Sequence, residues 1–464
     1  MEIMKDVTLG FCPIGKFVFS HEDALRQKMI LKEKLDQLNI SFVLPDGVIP
    51  DGMVRAQAHV GPVVKYFKEQ NIDALFIPHC NFGTEGAAGM IARELNVPVL
   101  LYGPRDDSPG PDGTRLRDSL CGMFATSKVL YKLGVPFSYI ENFSPDSHVF
   151  TGGIKKFLLA ARAVKAMRRM KIAQIGVRID FFWTTIFNES ELLRNFGIQV
   201  LPVDMADFLG EVKNRLNRNR NIYEEELTSY QSWLDISALE TKEGVLGGLA
   251  MRDELFNLAE SEDISAFSIK SFPSVGANLG PGTGLGECLL QERYPLAVES
   301  DIHGAVSSVL LQAASDTDDP VFFPEFTVRH PENDNSVLLW HASAPVSLRH
   351  PSAVKIPVDP PWILKGNPPK SLRFRIKDGP LTVCRFDGET GEYVLGIGEG
   401  RTVDGPETKE NYCWMEVDDW PKWERTLIEG PYIHHCSVVH DRCADVLSEA
   451  CRYIPGLNAV RFGG

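Results

Sequence analysis

The sequence lacks any paired cysteine spacing. Its nine cysteines are scattered and odd in number, and no two stand in a CxxC arrangement. A disulfide framework is therefore disfavoured, and reduced thiols of a cytosolic protein are the better interpretation. Cys436 adjoins two histidines, but a cysteine in such a place is more often a packing residue than a ligand.

An excess of positive charge is also missing, because the formal net charge is −14. A phosphate backbone requires clustered Lys and Arg, so nucleic acid is excluded as the main partner. The basic stretch ARAVKAMRRMK (161–171) ends a helical pattern just before a strand, and we interpret it as a solvated helix end.

No apolar run reaches the length of a membrane span, and MEIMKDVTLG lacks the basic and long apolar regions of a signal peptide. The sequence therefore predicts a cytoplasmic protein with no membrane partner. The Gly-rich segment VGANLGPGTGLGE (275–287) has no GK[ST] ending and no GxGxxG in the strand–helix context of a dinucleotide fold. We interpret it as a flexible loop that could help to close over a substrate.

Strand and helix patterns alternate from VTLGFCPIG onward and restart at KIAQIGVR, which predicts an α/β fold with two doubly wound, Rossmann-like parallel sheets. Residues 1–169 form the predicted N-terminal α/β domain, and 170–350 the middle α/β domain. A proline-dense linker follows. Short alternating segments and the turn DGETGE then predict a C-terminal antiparallel β domain over 351–464.

Four residues stand where an apolar run meets a turn or a helix: Glu299, Glu325, His341 and His435. A carboxylate at the end of a buried strand is costly unless cations or donors surround it. Two carboxylates with imidazoles suit a divalent cation such as Mn²⁺, and the same carboxylates could move protons. Each residue has a plainer interpretation. Glu299 could be a surface charge, and His341 a satisfied core histidine.

The neighbours of these residues have plainer roles. Asp301 is well placed as the N-cap of the helix IHGAVSSVLLQAA. His434 and His435 alternate faces on an extended segment, so only one of them can point into a given site.

The short sequence motifs of this chain, and the order in which they occur, resemble those of the L-fucose isomerase and L-arabinose isomerase superfamily. QERYPLAVESDIHGA looks like the stretch that carries that family's first metal-binding and proton-carrying Glu, with Glu299 in its place. Glu325 matches the second carboxylate, as Glu in the arabinose branch, and His341 matches the His that follows it. EGPYIHHCS resembles a Gly-rich His-His string, with His435 as ligand and His434 beside the substrate.

The resemblance implies an aldose–ketose isomerase that acts on an open-chain sugar through an enediolate, with Mn²⁺ or another divalent cation as cofactor. One of Glu299 and Glu325 would be the base and the other would pass protons between the oxygens. It also implies a symmetric homohexamer in which a neighbour's N-terminal domain helps to wall the site.

The substrate stays open between a neutral 6-deoxyhexose or pentose and sulfoquinovose, since sulfoquinovose isomerases are one assignment within the superfamily. Lys270, Arg178 and Arg401 are the candidate contacts to an anionic sugar, although a residue of this kind is more often structural. Two other classes stay open: a non-catalytic sugar-binding protein, and a metal-dependent sugar epimerase or dehydratase.

Overall fold

The computed structural model describes residues 7–235, 242–359 and 371–463. The chain divides into two compact units. One comprises Met1–Lys165 with Arg452–Ile454, and the other Ala166–Cys451 with Pro455–Gly464. Most of the predicted proline-rich linker lies outside the described residues. No helix within the described ranges has both the length and the apolarity needed to cross a bilayer.

The first unit is built on a five-stranded parallel sheet of order β2-β1-β3-β4-β5. Its central strands are apolar and fully buried, as expected for a sheet covered by helices on both faces. Its strands are β1 (Leu9–Phe11), β2 (Phe42–Val43), β3 (Ala74–Pro78), β4 (Val99–Tyr102) and β5 (Ser138–Ile140). The helices are α1 (His21–Gln37), α2 (Val60–Glu69), α3 (Glu85–Leu95), α4 (Ser119–Leu133) and α5 (His148–Arg168), the last of which continues into the second unit.

The second unit contains a four-stranded parallel sheet of order β7-β6-β8-β9. Its strands are β6 (Lys171–Ile175), β7 (Gln199–Val203), β8 (Ala266–Ile269) and β9 (Leu296–Val298). The helices in this part of the chain are α6 (Glu189–Phe196), α7 (Met205–Ser229), α8 (Glu243–Glu262), α9 (Gly276–Leu279), α10 (Gly284–Leu290) and α11 (Ile302–Ala314). Helices α9 and α10 occupy much of the Gly-rich segment that was predicted as a loop.

The second unit also contains an eight-stranded, mainly antiparallel sheet of order β10-β11-β17-β16-β15-β18, with β14 on β17 and β19 on β16. Its strands are β10 (Glu325–Arg329), β11 (Ser336–His341), β14 (Phe374–Arg375), β15 (Pro380–Glu389), β16 (Glu392–Val403), β17 (Asn411–Glu416), β18 (Ser437–Val439) and β19 (Leu457–Arg461). A small pair, β12 (Val358–Asp359) and β13 (Ser371–Leu372), stands apart, and α12 (Trp420–Glu429) and α13 (Ala444–Cys451) complete the unit. The fold class is therefore the predicted one, with two parallel α/β sheets and an antiparallel sheet.

The predicted middle α/β domain, residues 170–350, includes β10 and β11, but these two strands do not join its parallel sheet. They form an antiparallel hairpin that joins the eight-stranded sheet through β17. The physical reason is the short connection between them, because parallel neighbours need a crossover of a dozen or more residues. Two of the four key residues thus belong to the antiparallel sheet, although the domain boundary was predicted at 350.

Helix α11 packs against strands of both sheets of this unit, among them β8, β9, β15 and β18. It is apolar almost all round and nearly every residue is buried. A helix with no polar face must lie in a core. Its first turn, which follows Glu299, is therefore fixed by both sheets.

Candidate metal centre

Glu299 follows β9 in a strained turn. Glu299 and Ser300 both have left-handed backbone angles, with φ of 62° and 60°. Such angles are unfavourable for residues with a Cβ and persist only when their surroundings enforce them. Here the Ser300 amide donates to the Ile269 carbonyl (3.2 Å), and its hydroxyl donates to the Val177 carbonyl (3.3 Å). The turn ends the strand and directs the Glu299 carboxylate out of the edge of the parallel sheet.

Glu325 and His435 are opposite one another on neighbouring extended segments. The pair forms an antiparallel bridge, flanked by a bond from the Cys436 amide to the Pro324 carbonyl (2.9 Å) and one from the Phe326 amide to the His434 carbonyl (2.9 Å). Side chains of directly opposite residues lie within contact distance. This ladder therefore brings together residues that are 110 positions apart in the sequence.

His341 ends β11, the strand that pairs with β10. Trp340 is opposite Glu325 in that register, so His341 lies one position further along the same edge. The His341 ring is 4% exposed, and its Nε2 lies 3.9 Å from Glu325 Oε1. Phe323 packs against both His341 and His435, with ring centroids 6.0 and 5.2 Å apart.

The four side chains converge. Glu299, Glu325, His341 and His435 each offer one ligand atom, and these atoms all lie within 4.8 Å of one another. Three of the inward-facing atoms are buried without a hydrogen-bond partner among the described residues: Glu299 Oε2, His341 Nε2 and His435 Nε2. Buried polar atoms are rarely left unpaired, and two carboxylates with two imidazoles match the preferences of Mn²⁺ and similar cations. The donor set therefore fits a divalent cation.

The electrostatics of the cluster are uneven. Burial raises the pKa of Glu325 to about 7. Burial also works to raise the pKa of Glu299, but the imidazoles of His435 and His341 outweigh it and the net shift is downward. Burial lowers the pKa of His341 to about 4. For His435, burial is opposed by the Asp301 and Glu299 carboxylates, which raise its pKa to about 9.

A second layer of charge stands behind His435. Its Nδ1 lies 3.0 Å from Asp301 Oδ2, and Asp301 also pairs with Arg385. Asp301 is the N-cap of α11 as predicted, since its Oδ1 accepts from the Gly304 amide (2.9 Å). Sequence reasoning missed the contacts of Asp301 with His435 and Arg385. The available signal was an arginine inside the apolar strand LTVCRF, where a charge demands a partner.

Two of the candidate substrate contacts lie beside the cluster. His434 precedes His435, and the two do not point to opposite sides as the alternation predicted, because their ring centroids lie only 4.4 Å apart. Lys270 directly follows β8, whose last residue Ile269 pairs with Val298, the residue before Glu299. Lys270 and Glu299 therefore leave the same edge of the parallel sheet side by side. The Lys270 ammonium has no ion-pair or hydrogen-bond partner in the part of the chain that the structure describes.

The other two candidates are occupied elsewhere. The Arg178 guanidinium donates to the carbonyls of Ile179, Asp180 and Phe182, at 2.7 to 3.2 Å, and so folds its own loop. Arg401 pairs with Glu416, which is opposite Ser336 at the far end of β11 from His341. Ser336 and His341 are five residue steps apart along the strand, roughly 17 Å. The structure does not bring Arg401 to the cluster.

Two protein-family descriptions match this chain, one near each end. The family described as fucose/sulfoquinovose isomerase, N-terminal domain, matches residues 10–168, and that described as L-fucose isomerase, C-terminal domain, matches residues 363–458. Together the two matches cover more than half of the chain. They include His435 but not the other three members of the cluster.

Curated relatives match across most of the chain. A sulfoquinovose isomerase of Priestia aryabhattai is 24% identical over 86% of this chain and 86% of its own length. Those of Alkalicoccus urumqiensis and Clostridium sp. (strain MSTE9) are each 25% identical, over 76% and 80% of this chain and 77% and 83% of theirs. The similarity therefore extends through the middle of the chain, where Glu299 and Glu325 lie.

Proposed function

This chain belongs to the fucose/sulfoquinovose isomerase family, and from that premise we propose that it is a divalent-metal-dependent aldose–ketose isomerase. The observation that carries the proposal is the convergence of Glu299, Glu325, His341 and His435 on one point, where three buried ligand atoms make no hydrogen bond to any described residue. A sugar-binding protein has no need of such a donor set. Mn²⁺ is our first choice of cofactor, because it accepts both oxygen and nitrogen ligands.

The residues of the site have different proposed roles in the reaction. When bound, the cation would act as a Lewis acid on the sugar's carbonyl. One glutamate removes the proton from the carbon beside the carbonyl, which gives an enediolate, and the other passes protons between the two neighbouring oxygens. In the metal-free protein, burial raises the pKa of Glu325 to about 7, well above the range of an exposed carboxyl. Asp301 holds His435 in place through the Nδ1 contact.

We propose sulfoquinovose as the substrate. The curated relatives named above are sulfoquinovose isomerases. A buried sulfonate requires a cation, and the unpaired Lys270 lies at the same sheet edge as Glu299. His434 is the proposed contact to the sugar hydroxyls. A neutral 6-deoxyhexose or pentose is the alternative substrate, and it would leave Lys270 without a role.

We further propose a cytoplasmic homohexamer. All nine cysteines are free in the structure, and eight of them are buried, which fits a reducing compartment. The net charge of −14 opposes a nucleic-acid partner.

The test of the function is a screen of aldoses with purified protein, first stripped of metal and then supplied with Mn²⁺. The panel should include sulfoquinovose, 6-deoxyhexoses and pentoses. We expect conversion of one aldose to its ketose, and product identification separates isomerisation from epimerisation or dehydration. Binding without any conversion would favour the sugar-binding alternative.

Glu325→Gln supplies the negative control for that screen. It keeps the size of the side chain but removes the proton acceptor, so turnover should fall by roughly 100-fold or more. Glu332→Gln is the matched change, because Glu332 is exposed in the turn that follows the same strand, and it should leave turnover unchanged. The proposal fails if Glu325→Gln retains near-normal turnover with excess Mn²⁺.

A further inference from the structure

A buried network of polar and charged side chains extends away from the metal centre. It runs from His435 through Asp301, Arg385 and Asp387 to His303. Arg385 Nη1 and Nη2 lie 2.5 and 3.3 Å from the two Asp301 oxygens, and its Nε lies 2.9 Å from Asp387 Oδ2. Asp387 Oδ1 lies 3.2 Å from His303 Nδ1. Every side chain of this network is buried, and Arg385 is only 1% exposed.

Burying these charged side chains in a strand in the middle of a sheet costs desolvation free energy. Arg385 lies near the centre of β15, among buried neighbours such as Cys384 and Phe386. A buried ion network of this kind is often no more stabilising than apolar side chains of the same volume. The fold alone therefore does not explain why an arginine, rather than a methionine or leucine, occupies this position.

The explanation lies in the contact between Asp301 and His435, at one end of this network. A histidine can present one ring nitrogen to a metal only if the other is held by an acceptor, because that hydrogen bond fixes the tautomer and the ring orientation. Asp301 is that acceptor for His435, and it also caps α11. Arg385 neutralises Asp301 and fixes both of its oxygens, so the carboxylate cannot rotate away from the ring.

We infer that Arg385 is a positioning residue of the metal centre, which acts through Asp301 to hold His435 with Nε2 facing Glu299, Glu325 and His341. The inference rests on the proposed function only in assuming that the cluster binds a cation. Arg385 itself contributes no ligand. Its removal leaves two buried carboxylates, Asp301 and Asp387, without their shared cation, and it frees the Asp301–His435 pair to rearrange.

The test measures Mn²⁺ affinity by calorimetry on metal-stripped protein, so it does not depend on activity. Arg385→Met should weaken Mn²⁺ binding by about 10- to 100-fold, the usual effect of losing a residue that orients a metal ligand. Excess Mn²⁺ should restore much of the turnover, because no group that touches the substrate has been removed.

Arg252→Met is the matched control. Arg252 is a largely buried arginine between two carboxylates, Glu226 and Asp253, in the α7–α8 part of the same unit. Its loss should destabilise the fold to denaturant as Arg385→Met does, yet leave the Mn²⁺ dissociation constant within about twofold of the wild type. A stability loss in both variants with unchanged Mn²⁺ affinity in both would show that Arg385 is merely structural.

Arg385→Lys decides the question if the methionine variant does not fold. A lysine has one ammonium group and cannot reproduce the guanidinium's bonds to Asp301 and Asp387 together. Mn²⁺ binding should weaken at least about threefold, to a level between wild type and Arg385→Met. Wild-type affinity in Arg385→Lys would overturn the inference. A failed sugar screen with these affinity losses present would instead refute the proposed reaction and leave the inference standing.

Discussion

Glu325 and His435 face each other, and their pKa values are both raised, for different reasons. Burial raises the pKa of Glu325, which has no cationic side chain within hydrogen-bond distance among the described residues, whereas the Asp301 and Glu299 carboxylates raise the pKa of His435. Without a bound cation the two groups therefore hold protons near neutral pH. A metal ion must displace these protons, because ligands bind in their deprotonated forms.

The first prediction is a stepwise pH dependence of Mn²⁺ affinity. Below pH 7 both Glu325 and His435 must lose a proton, so affinity should rise about 100-fold per pH unit. Between pH 7 and 9 only His435 must, and the rise should be about tenfold per unit, becoming flat above pH 9. The pKa of His341 is lowered to about 4, so it holds no proton in this range.

The metal-free protein should show the complementary change in stability. The pKa of His435 is raised from 6.5 to about 9, so its protonation stabilises the fold fully below pH 6.5, and this contribution is lost as the pH rises through 9. Calorimetry in two buffers of different ionisation enthalpy counts the released protons. Mn²⁺ binding at pH 8 with no proton release would contradict the assignment of His435 as a ligand.

Lys270 gives the second prediction at this scale. Lys270→Ala should raise KM for an anionic sugar by about 10- to 150-fold, which corresponds to about 1.5–3 kcal/mol for a hydrogen bond to a charged group. It should scarcely change the kinetics on a neutral sugar. Lys213→Ala is the control, since Lys213 is exposed on α7 in the same unit. Equal KM values for Lys270→Ala and wild type on the anionic sugar would remove Lys270 from the site.

At the scale of elements, the metal centre depends on how closely α11 approaches the segment before β10. A Cβ on Gly304 would lie 2.4 Å from the Phe323 ring and 2.8 Å from Asp301 Oδ2. The same Phe323 ring packs on His341 and His435. The glycine thus allows helix, aromatic ring and imidazoles to pack together.

The third prediction follows from that contact. Gly304→Ala should destabilise the fold by about 1–3 kcal/mol, as overpacking does, and should also weaken Mn²⁺ binding because Phe323 is pushed toward the imidazoles. Gly210→Ala, in the exposed part of α7 with no atom within 4 Å of the new methyl, should be stabilising by about 0.5–1 kcal/mol. Urea denaturation and Mn²⁺ titration measure both effects. Equal stability of the two variants would show that the Gly304 contact is loose.

At the scale of the whole molecule, each unit has exposed apolar side chains close together in sequence. In the second unit Val177, Phe181 and Trp183 lie in the segment after β6, each more than 60% exposed. In the first unit Phe124 and Tyr131 lie on α4, at 67% and 76%. Clustered exposed apolar residues mark interaction surfaces.

The fourth prediction is that the active form is a closed homo-oligomer, with the pocket completed by a neighbouring chain. Trp183→Ser or Phe124→Ser should shift light scattering toward smaller species and lower the activity with it. Ile428→Ser, at an exposed apolar residue on α12 away from both groups in sequence, is the control. An active wild-type monomer at assay concentration would dispose of the oligomer and of the shared pocket.

The sequence by itself determined the fold class and the identity of the candidate ligands. Apolar runs with no polar face predict buried parallel strands, and a carboxylate or imidazole at the end of such a run is visible because burial makes it costly. This cost and the family resemblance together indicate Glu299, Glu325, His341 and His435, and the ligand atoms of these four residues converge.

Only the tertiary structure decided which sheet holds β10 and β11. It also decided which basic side chains have partners and which charged residues contact His435. Asp301 and Arg385 are 84 residues apart, and Arg178 and Arg401 look as suitable as Lys270 until their partners are seen. Local patterns predict burial and periodicity, whereas pairing between distant charges depends on which strands become neighbours. That choice is made by packing across the whole unit, so no local stretch of sequence contains it.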